Sequence, residues 1–327
     1  MLYKDVAGQD EIKNFLVNSI NNNQISHCYI FEGPKGMGKY DLSLVFAQSL
    51  LCKDFELDPC NVCSDCIKVN SMNHPDMHIV NNGENSIKRE DIDELIESIN
   101  KKPYESNKKV YIINNAHEMT IQAANTFLKT LEEPPGDSII ILLTNNINLL
   151  LPTIISRCQI IKFKNVNTGI IIKYLKEKYN EDEEKIILAA NYSNGILNKA
   201  VNIINGKDNI LEKRMEVIDI FNKIIKSDSE IIFEVENYFE VQKDNIDVVI
   251  EIFMVWIRDI IYVNHNIESL VINKDLVELA NLHGTGIKVD SELIQYLQSA
   301  RNNIKSNVNY KLIIDNMLLK IQEVFKI

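Results

Sequence analysis

The chain has 327 residues, 45% of them hydrophobic and 25% charged. That is the length of two or three domains, with a balance that excludes disordered and collagen-like classes. Lys and Arg number 35 against 46 Asp and Glu, a net charge of −11, and both the first 163 residues and the remainder are mildly acidic. No basic domain is present to hold nucleic acid by bulk charge, a mode that needs many cations set against phosphates.

Up to about residue 163, strand-like and helix-like stretches alternate. Ile12, Phe15, Leu16 and Ile20 recur at helical spacing within 9–22. Cys28–Phe31 is a short apolar strand ahead of a glycine-rich loop, and 41–51 returns to helix. Met77–Val80 reads as a strand, and Ile92, Leu95, Ile96 and Ile99 share one helical face. Val110–Ile113 is a buried strand. Residues 123–131 form a helix with Thr120 as its cap and Pro134-Pro135 beyond its end. Ser138–Thr144 and Ile160–Phe163 complete five strands. Strands alternating with helices predict a parallel sheet covered on both faces. From Thr168 onward the pattern is helical, with breaks at 192–195, 205–208 and 283–286. This divides the chain into an α/β domain (1–163), a small helical domain (164–206) and a larger all-helical domain (207–327). No apolar run reaches membrane-spanning length, and Met1–Gly8 lacks the pattern of a secretory signal. The expected compartment is the cytoplasm, where cysteines serve as metal ligands or core residues more often than as disulfides.

Gly33-Pro34-Lys35-Gly36-Met37-Gly38-Lys39-Tyr40 follows the first strand and opens a helix, the setting of a phosphate-binding loop. Gly33, Gly36 and Gly38 let backbone N–H groups curl toward phosphate oxygens, and Lys39 is the cation for the β and γ phosphates. The next position calls for the short hydroxyl of Ser or Thr as a Mg²⁺ ligand, and the ring of Tyr40 cannot supply it. The third strand ends in Asn114-Asn115, where a hydrolase needs a carboxylate for the metal and another for the attacking water; Glu32 or Glu118 is left as a substitute. The expectation is ATP or ADP binding at most, without hydrolysis.

Cys52, Cys60, Cys63 and Cys66 have the spacing C-x7-C-x2-C-x2-C, which suits a closed tetrahedral Zn²⁺ site in a module of about 52–66; an iron–sulfur cluster is the rival. Cys28 and Cys158 lie in apolar strand contexts and read as core residues. His74 and His78 read as structural. Lys101, Lys102, Lys108 and Lys109 read as a solvated loop. Arg157, in Ser156-Arg157-Cys158 just before the last strand, is either a surface residue or an arginine offered to a neighbouring subunit's γ-phosphate.

Val6-Ala7-Gly8-Gln9, Ser26-His27, the 33–39 loop, the four cysteines, His74-Pro75-Asp76, the run NTFLKTLEEPP (125–135) and Ser156-Arg157-Cys158 occur in one order across most of the first domain. Together they resemble the delta-prime subunits of bacterial DNA polymerase III clamp loaders, an AAA+ family; the helical remainder agrees in architecture. The resemblance implies a RecA-like AAA+ domain with a zinc module, a helical lid and a collar that holds subunits in a ring. It also implies partnership with delta and gamma/tau subunits, and through them with the sliding clamp and primed DNA. Arg157 matches the arginine such subunits present to a motor subunit's ATP. The alternative within the same assembly is an ATP-hydrolysing gamma/tau-type subunit, against which Tyr40, Asn114 and Asn115 argue.

Overall fold

The computed structural model of the protein describes residues 1–80, 86–134, 136–226, 235, 237–287, 289–305 and 309–325. Pro135, the last residue of the NTFLKTLEEPP run, lies outside the described residues. The chain divides into two compact units, Met1–Tyr179 with Ser193–Lys199, and Asn180–Tyr192 with Ala200–Ile327. The stretch 164–206 is therefore shared between the two.

The first unit is built on five parallel strands, β1 (Cys28–Glu32), β2 (Met77–Val80), β3 (Lys109–Ile113), β4 (Ser138–Thr144) and β5 (Gln159–Lys162), in the order β2-β3-β4-β1-β5. Every residue of β3 and β4 is buried, because side chains alternate between faces that are both covered. On one face Phe31, Ile112, Ile141 and Leu143 pack with Leu16 of α1 (Asp10–Asn21) and Leu42 and Phe46 of α2 (Lys39–Leu51). On the other, Ile30, Ile113, Ile140 and Leu142 pack with Ile92 of α4 (Arg89–Ile99), Phe127 of α5 (Ile121–Glu132) and Ile154 of the single-turn α6 (Pro152–Ile155). Thr120 caps α5 as its position predicts, its side chain accepting from Ala123 N at 3.2 Å and so satisfying one orphan donor of the first turn.

Three features depart from the sequence expectation. The cysteine module contains a helix, α3 (Ser64–Asn70). Lys109 is not in a solvated loop: it belongs to β3, is buried, and its ammonium donates to Ser98 O at 2.8 Å. Cys28 and Cys158 are joined as a disulfide, with Cα atoms 4.7 Å apart, where core thiols were expected.

The second unit is helical throughout its described residues, with Trp256, Phe221, Phe239 and Phe253 in its core. A buried polar network crosses it. Asp259 accepts from Ile272 N, Asn273 N and Asn273 Nδ2 at 3.0, 2.9 and 2.7 Å. Asn273 Oδ1 accepts from Tyr192 Oη at 3.0 Å and Arg214 Nη1 at 3.1 Å. Among the described residues, no helix is long and apolar enough to cross a membrane.

Candidate functional site: a closed phosphate loop, a four-cysteine cluster and an arginine turn

The loop after β1 has the expected backbone. Gly36 and Gly38 have positive φ of 89° and 80°, open to glycine without steric cost. Its lysine is turned inward. Lys39 Nζ donates to Gly33 O, to Pro34 O at 2.8 Å and to Asn145 Oδ1 at 2.9 Å. Burial brings its ammonium down to about 8, since desolvation disfavours the charged form. Asn145, just past β4, thus faces the lysine. The loop is also covered: Asn198 N donates to Gly36 O at 3.1 Å, and a Cβ on Gly36 would meet Asn198 Cβ at 3.0 Å and Ile196 Cγ2 at 3.1 Å. The Tyr40 side chain packs against the α1/α2 core face. At the end of β3, Asn114 Oδ1 accepts from Asn115 N at 3.0 Å, and Asn115 adopts φ 49°. In this arrangement the Lys39 charge is met by oxygens of its own loop and of Asn145, and neither β3 position carries a carboxylate.

Cys52 follows the last residue of α2, Cys60 lies in the loop, Cys63 caps α3 and Cys66 is inside it. One ligand atom from each lies within 4.8 Å of all the others, and the sulfurs of Cys60 and Cys66 are 3.9 Å apart. A tetrahedron with metal–sulfur bonds of about 2.3 Å has edges of about 3.8 Å, so the four sulfurs fit a common metal ion. Backbone donors already point at them: Cys60 N to Cys52 Sγ and Cys63 N to Cys60 Sγ at 3.3 Å, and Cys66 N to Cys63 Sγ at 3.4 Å. Burial pushes the Cys52 and Cys66 thiols up. At Cys63 burial is outweighed by donors from Lys53 N and Cys66 N, which bring it down to about 7. Four crowded thiols cannot all ionise unless a cation offsets their charge. The module is tied down around the cluster. Gln48 of α2 donates to Asn61 Oδ1 and Cys66 O at 2.9 and 3.3 Å, and buried Asp65 approaches Lys53 and His74 at 3.5 and 3.7 Å. His74 is structural as expected, its Nδ1 accepting from Asp76 N at 3.1 Å.

Arg157 sits on the turn between α6 and β5. Its backbone N donates to Ile154 O at 3.1 Å. Nη1 donates to Thr153 O at 2.8 Å and Ser156 Oγ at 3.3 Å, and Nη2 to Glu132 Oε1 at 2.6 Å. The Arg157 side chain stays 32% exposed and that of Glu132 50% exposed. Glu132 was not singled out by sequence reasoning: it closes α5, 25 residues away, and no local spacing links the two. The Cys28–Cys158 pair lies one row before Tyr29↔Gln159 in the β1–β5 register. Strand pattern alone could not reveal it, because the adjacency of β1 and β5 is non-local.

A parallel sheet of this order, with a glycine loop leaving β1 for a helix and an arginine turn entering the edge strand β5, defines a RecA-like AAA+ subunit. Residues 8–167 match the family described as DNA polymerase III, delta subunit, and residues 208–323 match its C-terminal counterpart. The DNA polymerase III subunit delta' of Bacillus subtilis (strain 168) is 33% identical over 321 residues, covering 96% of this chain and 96% of its own length. A DNA polymerase III subunit gamma/tau of Mycoplasma genitalium is 32% identical over 67% of this chain but only 38% of its own length. A gamma-subunit-related protein of Thermotoga maritima, of known structure, aligns with a TM-score of 0.47 and 17% identity over 97% of this chain and 99% of its own. The chain belongs to the delta' subunit family of the DNA polymerase III clamp loader.

Proposed function

We propose that this chain is the non-hydrolysing member of a clamp-loader ring and that Arg157 completes the ATP site of a neighbouring gamma/tau subunit. The observation that carries this reading is an asymmetry within one unit: Lys39 is held by Gly33, Pro34 and Asn145, while the Arg157 side chain is partly exposed on the turn before β5. A positioned arginine stabilises charge developing on a transferring phosphoryl group and is worth about 10³–10⁵ in rate. In this reading delta and gamma/tau subunits are the direct partners, and the sliding clamp and primed DNA are engaged through the ring, in the cytoplasm. Any ATP or ADP held by Gly33, Gly36, Gly38 and Lys39 stays unhydrolysed, since Asn114, Asn115 and Tyr40 offer neither a metal-binding carboxylate nor a base. Residues 1–163 act as the AAA+ domain, 164–206 as the lid and 207–327 as the collar, divisions that the 8–167 and 208–323 family matches support.

We assign Cys52, Cys60, Cys63 and Cys66 to a structural Zn²⁺. The ion would offset the thiolate charge and cross-link the end of α2 to α3. With four protein ligands it has no open position for water, so its contribution is to folding.

The deciding experiment is steady-state ATP hydrolysis, with primed DNA and clamp present, by the chain alone, by the reconstituted loader and by the loader carrying Arg157→Ala. Silence from the chain and a steep fall for Arg157→Ala in an intact ring support the reading. Hydrolysis by the chain alone would make it a motor subunit, and unchanged turnover with Arg157→Ala would remove the arginine assignment.

A further inference from the structure

We infer that Cys158 and Cys28 form an attacked-and-resolving thiol pair: Cys158 reacts with small disulfides of the type RSSR, and Cys28 clears the adduct, so that the turn carrying Arg157 stays unmodified. The consequence for activity rests on the proposed role of Arg157; the thiol chemistry does not.

Four observations carry the inference. The two residues are disulfide-bonded in the structure, so each sulfur is within reach of the other. Cys158 is partly exposed whereas Cys28 is fully buried, so a reagent from solvent meets Cys158 first. The Cα separation of 4.7 Å equals the spacing of neighbouring strands, about 4.7–4.9 Å, and lies inside the range of about 4.4–6.8 Å that a disulfide tolerates; closing the bond therefore asks for no backbone movement. Finally, Cys158 is bonded directly to Arg157, and its own N–H donates to Ile155 O at 3.4 Å within the same turn. Its side chain packs against the Ile30, Phe127 and Ile154 cluster. An R group attached there would have to lie outside that close packing, so the turn would shift and carry the guanidinium with it.

The chemistry balances in two exchanges. The Cys158 thiolate attacks RSSR, giving the mixed disulfide Cys158–S–S–R and releasing one thiolate, RS⁻. The Cys28 thiolate then attacks the Cys158 sulfur, giving the Cys28–Cys158 disulfide and releasing the second RS⁻. The two protein thiols are oxidised by two electrons, the small disulfide is reduced to two RSH, and the two thiol protons end on those products. A dithiol reductant restores both thiols. An accessible thiol poised beside a resolving partner is the arrangement of redox-responsive cysteines.

The test treats the reduced full-length chain with oxidised glutathione, blocks remaining thiols with an alkylating reagent and maps each cysteine by peptide mass spectrometry, which separates this pair from the four-cysteine cluster. Treated protein is then assembled into the loader and its ATP turnover measured. Wild type is expected to yield the Cys28–Cys158 cross-linked peptide, no glutathione on Cys158 and undiminished turnover. Cys28→Ala, and Cys28→Val as a variant that fills the buried space, are expected to accumulate glutathione on Cys158 and to lose turnover by about 10²-fold, the scale of a misplaced reacting group. Cys158→Ala should take no adduct from the pair and be insensitive to the reagent. Glutathione persisting on wild-type Cys158, or both thiols staying open to alkylation, overturns the pair chemistry. An adduct in the Cys28 variants with full turnover overturns its link to the arginine turn. Loss of effect for Arg157→Ala in untreated loader would instead sink the arginine reading alone, leaving the peptide map unchanged.

Discussion

The phosphate loop and the arginine turn lie on the same sheet, and each carries one cation of the kind that phosphoryl-transfer sites use. Their surroundings differ. Lys39 is 8% exposed and satisfied by three oxygens of its own chain. Arg157 keeps about a third of its side chain in solvent and leans on Glu132, a carboxylate at the end of a different helix. A cation satisfied internally is committed to its own chain. On the proposed function, a cation held at the surface by a half-exposed carboxylate exchanges that partner for a phosphate. Sequence motifs rank the loop first; the proposed function ranks the turn first.

The comparison can be broken most directly by paired substitutions. Arg157→Ala is expected to lower turnover of the assembled loader by about 10³-fold or more while leaving the chain's melting temperature nearly unchanged, because partly exposed ion pairs add only about 0–1 kcal/mol. Lys39→Met should behave in the opposite sense. It strands the Gly33 and Pro34 carbonyls and Asn145 without their donor, costing about 1–3 kcal/mol in chemical denaturation, and changes turnover far less than Arg157→Ala does. Equal losses of turnover from both variants would erase the distinction.

Metal removal is next in expected size. Chelation, or Cys66→Ser, should release about one equivalent of Zn²⁺ per chain by elemental analysis and loosen the module around α3, read as faster amide exchange there and at the end of α2. The β5 side, with the Arg157 turn, should keep its protection. A smaller effect is expected for Glu132→Gln, which keeps the shape of the partner and removes its charge. Turnover should fall by roughly two- to five-fold, the scale of a partly exposed ion pair, with the melting temperature unchanged.

The gentlest probe is pH. Lys39 releases its proton near 8 in the folded protein against an ordinary value of 10.5. Between those values the unfolded chain holds the proton and the folded chain does not, so stability from this group rises as pH rises from about 8 to about 10.5. Denaturation midpoints of wild type minus Lys39→Met, taken across that window, should climb with pH; a flat difference would place Lys39 in solvent.

Much of the frame was legible because its signals are local. β2 and β4 begin and end where the sequence places those strands, Thr120 caps the helix it precedes, and the four cysteines converge as their spacing implies. The rest depended on contacts between distant segments. Whether Lys39 points outward or inward is decided by Asn145 and by the 196–198 segment that covers Gly36. Lys109 pairs with Ser138 in the β3–β4 ladder, and its ammonium can stay buried there because Ser98 O accepts from it. The Cys28–Cys158 bond requires β1 and β5 to be neighbours, which two isolated strand patterns do not state. The helix inside the cysteine module escaped notice because Ser64–Asn70 is short and Cys63 serves as its cap through sulfur.

Asn273 in the helical unit has a consequence of another kind. Its amide reads direction: the nitrogen faces the Asp259 carboxylate, and the oxygen faces a phenol and a guanidinium. Size therefore says little about what this position tolerates. Asn273→Asp is nearly isosteric yet sets a second carboxylate against Asp259, whereas a smaller apolar side chain takes one partner each from Asp259, Tyr192 and Arg214 but adds no charge. Here the gentlest change in volume is the harshest in charge.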